Sequence, residues 1–137
     1  MAHPQHQAGG ELTVDHYQPL SAQGSDELEN LVCACFRCNL YKGDFWAESG
    51  VNLLHPVRDN MDDHFALDRA TGLLVPLSPA GELHIDLLHL NRTALVSRRR
   101  DEVTQLAYLH LLEEMIIRQR ELIQLYEERL RMMGDSI

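Results

Sequence analysis

Leu12-Thr13-Val14-Asp15-His16, then Asn30, then Leu31-Val32-Cys33-Ala34-Cys35-Phe36-Arg37-Cys38-Asn39, running on into Lys42-Gly43-Asp44, puts an acid beside a base, then an amide, then a Cys-x-x-Cys-Asn that opens a basic turn. A plain core does not use these types, because His16, Asn30 and Asn39 are each costly to bury without partners. Local preferences set the order of elements. Leu12 to Val14 is β-prone and ends in Asp15-His16. Pro19 and Ser21 to Asp26 read as a surface loop. Leu31 to Cys35 reads as a second strand, and Cys38 to Lys42 as a short helix stopped by Gly43. The order is strand, loop, strand, helix.

Two further sections follow. Residues 48–91 begin loop-rich, then Phe65 to Asp68 and Gly72 to Leu77 read as a hairpin. Ser78-Pro79 is a helix start, a hydroxyl cap with proline in the first turn, for a helix carrying Leu83, Leu87, Leu88 and Leu90. From Thr93 to Met133 there is neither proline nor glycine. Leu109, Leu112, Ile116, Gln119, Ile123, Tyr126, Leu130 and Met133 recur in steps of three and four, a heptad seam with one polar member. A second stripe, including Leu111, Met115, Leu122 and Leu125, widens the face. Such a helix must pack on something, either its own domain or a second copy or partner protein through residues 93–133. The expected fold class is α+β: a core over 1–46, a hairpin and helix packed on it over 47–92, and a long helix over 93–137.

Composition narrows the function classes. The chain has 137 residues and a formal net charge of −9, with a single lysine, Lys42. Strong autonomous DNA binders are usually basic, so the charge argues against one. Basic residues cluster, however, at Arg98-Arg99-Arg100 and around the Cys-x-x-Cys-Asn at Arg37 and Lys42. No run is long and apolar enough for a membrane span, and residues 1–10 show no secretory pattern; a cytoplasmic location is expected. Three cysteines, two of them as Cys-x-x-Cys, suit metal or redox chemistry more than a disulfide framework.

The segment from Leu12 to Asp44 resembles the HNH endonuclease family. Asn39 stands at the third motif position, where histidine is the other common choice. Asn30 follows His16 by fourteen positions and Asn39 follows Asn30 by nine, matching the family spacing. Leu54-His55-Pro56, Arg58-Asp59, His64-Phe65, Leu77-Ser78-Pro79-Ala80-Gly81 and Leu90-Asn91-Arg92 look like a tail found in a bacterial subset. The resemblance implies a ββα-metal fold and metal-dependent cleavage of DNA, with RNA still open as substrate. His16 is then the general base, Asn30 a brace for the loop and for the backbone around His16, and Asp15 and Asn39 hard oxygen ligands for Mg²⁺ or Mn²⁺. Arg37 and Lys42 are candidate phosphate contacts. Asp15 and His16 point to opposite faces of a regular strand; either a local bend brings them together or Asp15 reaches the metal from the far side.

One departure from the family pattern stands out. Many members carry a second Cys-x-x-Cys upstream, and the four thiolates hold a structural zinc. Here that pair is absent and His3-Pro4-Gln5-His6 stands near its place. Cys35, Cys38, His3 and His6 therefore form a candidate Cys₂His₂ zinc site; alternatively the two cysteines are small apolar packing residues. Cys33 is a spare ligand or plain core. His55 and His64 belong to the tail pattern, while His84, His89 and His110 read as surface or packing residues. Two functions result: an HNH-type endonuclease, or a vestigial HNH module that dimerises or binds a partner through its terminal helix.

Overall fold

The computed structural model describes residues 11–135; His3 and His6 lie outside them. Strands β1 (Leu12–His16) and β2 (Leu31–Cys35) pair antiparallel, and helix α1 (Phe36–Lys42) follows directly. A second antiparallel pair, β3 (Phe65–Leu67) and β4 (Leu74–Pro76), leads into α2 (Pro79–Leu87) and then α3 (Thr93–Gly134). The architecture is α+β: a ββα unit, a small hairpin with a helix, and a long terminal helix.

Local chemistry fixes the boundaries. α1 starts two residues earlier than its polar face suggests, because Cys35 caps it: its Sγ accepts from Cys38 N at 3.3 Å. Ser78 caps α2 by accepting from Gly81 N at 3.0 Å, with Pro79 in the first turn. Gly81 passes so close to the chain at His64 that an added Cβ would lie 1.8 Å from His64 O. α3 begins at Thr93, but two compact units divide eight residues later, between Arg100 and Asp101. Arg99 explains the difference: its guanidinium donates to Gly72 O at 3.2 Å and Leu90 O at 2.6 Å, holding the first turns of α3 in the first unit.

Within that first unit, residues 47–92 are bound to the ββα element by the residues of the tail pattern. Tyr17 Oη donates to Leu53 O at 2.6 Å, and Arg58 donates to Glu29 O at 2.9 Å. The backbone around Arg58 is itself fixed by His55, whose Nδ1 accepts from Val57 N and Arg58 N, while Asp59 accepts from His55 N at 2.6 Å. Asn91 clamps Leu74 through both its backbone N and O. The buried hydrophobic core is Leu53, Leu54, Ile85 and Leu88. In the second unit the side chains of the heptad seam are exposed apart from Leu112, which is half-buried. Among the described residues no helix is long and apolar enough to cross a membrane.

Candidate active site

The β1–β2 ladder runs in unbroken register, with Val14 opposite Cys33, Asp15 opposite Val32 and His16 opposite Leu31. No bulge intervenes, so the pleat sends Thr13 and Asp15 to one face and Val14 and His16 to the other. α1 covers the first face. Its Asn39 Nδ2 donates to Thr13 Oγ1 at 3.2 Å, and its Lys42 Nζ lies 3.1 Å from Asp15 Oδ2. β1 therefore has no bend that would bring Asp15 and His16 to one face.

His16 ends β1 and is held from two sides. Its Nε2 lies 2.8 Å from Asp26 Oδ1, and its backbone carbonyl accepts from Lys42 Nζ at 2.7 Å. An ionised carboxylate only accepts hydrogen bonds, so in the neutral ring the nitrogen facing Asp26 is the one that carries the proton, and Nδ1 is the acceptor. Asn30 fixes the loop that brings Asp26 there. Its side chain accepts from Gln18 N and donates to Gln18 O and Ser25 O, all within 2.9 Å, and its carbonyl accepts from Tyr17 N at 2.8 Å. Gly24 lets this loop close: a Cβ there would stand 1.8 Å from Gln18 O.

The oxygen ligands expected for a divalent ion fit in type. Asp15 Oδ2 is buried and near Lys42 but out of line for a hydrogen bond. Asp15 Oδ2 is thus an orphaned buried oxygen, and Asn39 lies on the same face of the ladder through its bond to Thr13. One carboxylate and one amide oxygen, completed by water and phosphate, is a set that suits Mg²⁺. Lys42 is corrected from its expected place on a phosphate. It is 8 % exposed, and the short reach from the end of α1 to the end of β1 turns it into a strut between Asp15 and His16. Arg37, by contrast, is exposed at the first turn of α1 with no partner among the described residues.

Cys35 and Cys38 face a guanidinium. Arg92 Nη2 lies 3.9 Å from Cys35 Sγ and Nη1 3.9 Å from Cys38 Sγ; Nη1 also donates to Leu88 O and His89 O, and the group sits over the Tyr41 ring at 5.7 Å. Burial acts to raise the Cys35 thiol, but hydrogen bonds from Cys38 and the Arg92 charge outweigh it and bring it below the usual thiol range. Burial, and then the Cys35 sulfur, push Cys38 up. The described residues thus offer two sulfurs with a cation already against them, and no group of three or more His, Cys, Asp or Glu able to hold a metal. Cys33, paired with Val14, is exposed on the strand face that α1 does not cover. A four-ligand zinc does not fit the described residues.

Residues 3–45 match the HNH endonuclease family model. This segment is an HNH domain. Septu protein PtuA of Bacillus mycoides (strain KBAB4) is 31% identical over 124 residues, a match covering 77% of this chain and 17% of that protein. The chain therefore spans about a sixth of the relative's length. No solved structure matches the chain.

His64, His84 and His89 take part in the packing of residues 47–92. His64 Nδ1 lies 2.6 Å from Ser78 Oγ, at the α2 cap. Burial pushes His84 down to about 4, and its Nδ1 accepts from Leu54 N at 3.2 Å, so it packs as a neutral ring. His89 packs against Tyr41, ring centroids 4.3 Å apart and tilted by 41°. Sequence reasoning missed Asp26 and the role of Arg92. Asp26 is one polar residue in a polar loop, and only the Asn30 clamp reveals it. Arg92 lies 54 positions from Cys38, beyond the range of any local pattern.

Proposed function

We propose that the first unit is a divalent-metal-dependent nuclease that hydrolyses DNA phosphodiester bonds, with His16 as general base. The observation that supports this most is the seating of His16 inside the HNH domain: one ring nitrogen on Asp26, its carbonyl on Lys42, its neighbouring loop clamped by Asn30. In this reading Nδ1 takes the proton of the attacking water, and Asp26 offsets the charge that the ring gains. Arg37 contacts phosphate. Asp15 and Asn39 would hold Mg²⁺ or Mn²⁺, which when bound supplies stabilisation of the charge developing on the phosphate and the leaving 3′ oxygen.

Supercoiled plasmid nicking in Mg²⁺ or Mn²⁺ tests the proposal, beside His16→Ala. A positioned general base contributes about 10²–10⁴-fold, so the variant should lose at least about 100-fold. Undiminished cleavage by His16→Ala would sink the assignment, and single-stranded RNA run in parallel separates the two substrates. A second reading, an interaction module with a weak or vestigial site, is favoured by the exposed apolar face of α3 and by a net charge of −9. Absence of any cleavage by the full chain would favour it.

A further inference from the structure

The stretch 101–134 of α3 carries its apolar side chains into solvent: Ile116 is 48 % and Ile123 58 % exposed. We propose that this stretch pairs with the same stretch of a second copy of the chain, parallel and in register. The seam assigns Leu109, Ile116, Ile123 and Leu130 to one core position and Leu112, Gln119, Tyr126 and Met133 to the other. Ile116 and Ile123 at the first of these, with Leu112 at the second, are in keeping with two parallel strands. Over 34 residues the helix runs about 50 Å, enough for four layers of each kind.

Two features select the partner and its direction. The first is Gln119. In a parallel, in-register pair it meets its own copy, and two amides donate to and accept from one another. In an antiparallel pair with full overlap it faces Ile123 and is buried without a partner, which is costly. The second is the charge flanking the seam, Glu113, Arg120 and Glu127 on one side and Tyr108, Met115, Leu122 and Arg129 on the other. A parallel pair lays each charged stem over an apolar neighbour, Glu113 by Tyr108, Arg120 by Met115, Glu127 by Leu122. The antiparallel pair sets Glu113 against Glu127 and Arg120 against Arg120, and like charges in contact destabilise. The surface is complementary to itself in one direction only.

Each helix is entered from its own first unit, so a parallel pair tethers two His16 sites by the same end of the rod. If the nuclease reading holds, two sites joined in this way act on the two strands of one duplex. The pairing itself is tested without cleavage. Light scattering on the full chain should give twice the 15.7 kDa chain mass, and Ile116→Asp/Ile123→Asp should give the single mass with the first unit still folded. On a Cys33→Ser background, Leu112→Cys and Leu130→Cys are mixed and oxidised; crosslinks of 112 to 112 and 130 to 130 are expected. A single-chain mass, a mass above two copies, or a preference for 112-to-130 crosslinks would each overturn the proposal.

Discussion

Replacing Lys42 with Met removes the buried cation that faces Asp15. Lys42 and Asp15 side chains are 8 % and 15 % exposed, 3.1 Å apart. Breaking a buried pair from one side strands the other charge and costs about 3–5 kcal/mol. Asp15 retains some water contact, which places the loss near the lower end. His16 O also loses its 2.7 Å donor, worth about 1 kcal/mol. Lys42→Met should therefore destabilise the first unit by about 3–4 kcal/mol, a large share of the roughly 5–15 kcal/mol typical of a domain. Trp46 is the chain's single tryptophan and packs edge-on against Tyr17 at 5.6 Å, so its fluorescence in urea follows this unit. Asp15→Asn alone should also destabilise, and the double variant should cost less than the sum of the two by about 2 kcal/mol. A loss below about 1 kcal/mol for Lys42→Met, or strict additivity in the double variant, would refute the strut account and return Lys42 to the surface.

Asp26→Ala should lower kcat by up to about 100-fold by letting the His16 ring turn, with KM little changed; steady-state nicking rates check it, and Asp26→Glu should recover part of the loss. His84 makes stability depend on pH. Its pKa is about 4 folded against an ordinary 6.5, so between those values the unfolded chain binds a proton that the folded one refuses. Stability from this ring is complete above about pH 6.5 and falls by up to about 3 kcal/mol as pH drops to 4; urea midpoints of wild type and His84→Gln, compared from pH 7 to 4.5, should diverge accordingly. Arg92→Leu removes bonds to two carbonyls and two sulfurs and should cost about 2–3 kcal/mol, whereas a zinc chelator should leave the wild-type urea midpoint where it is; the reverse pattern would make the guanidinium incidental and the metal essential.

The ββα order was legible because its signals are local. Alternating β-prone residues, a loop rich in turn formers and a glycine stop act within a few positions. Asn30 was legible for a related reason: an amide immediately before a strand needs partners, and Gln18 and Ser25 are near in sequence. The start of α1 was displaced because a sulfur, rather than a more usual hydroxyl or carboxylate, caps it. Lys42 was misplaced because a lysine at a helix end is ordinarily solvated, and only the approach of α1 to the end of β1 shows that its ammonium goes inward. Asp26 and Arg92 act across the tertiary structure and left no local mark.

Among the described residues the buried hydrophobic ones, Leu53, Leu54, Ile85 and Leu88, lie outside the HNH segment of residues 3–45. Within that segment the buried positions among the described residues are Pro19 and Lys42, and a two-stranded ladder with a seven-residue helix is too small to be stable by itself. In members with four thiolates a metal supplies the missing support; here Arg92 reaches both sulfurs from the tail, Arg58 holds Glu29, and Tyr17 anchors on Leu53. Contacts from residues 47–92 thus help to hold the HNH segment together. A fragment of residues 1–46 should show no amide protection in β1 and β2 by hydrogen exchange, with or without added zinc, whereas residues 1–100 should protect them. Protection in the short fragment would mean that the hairpin carries its own stability, and the tail residues would then need another explanation.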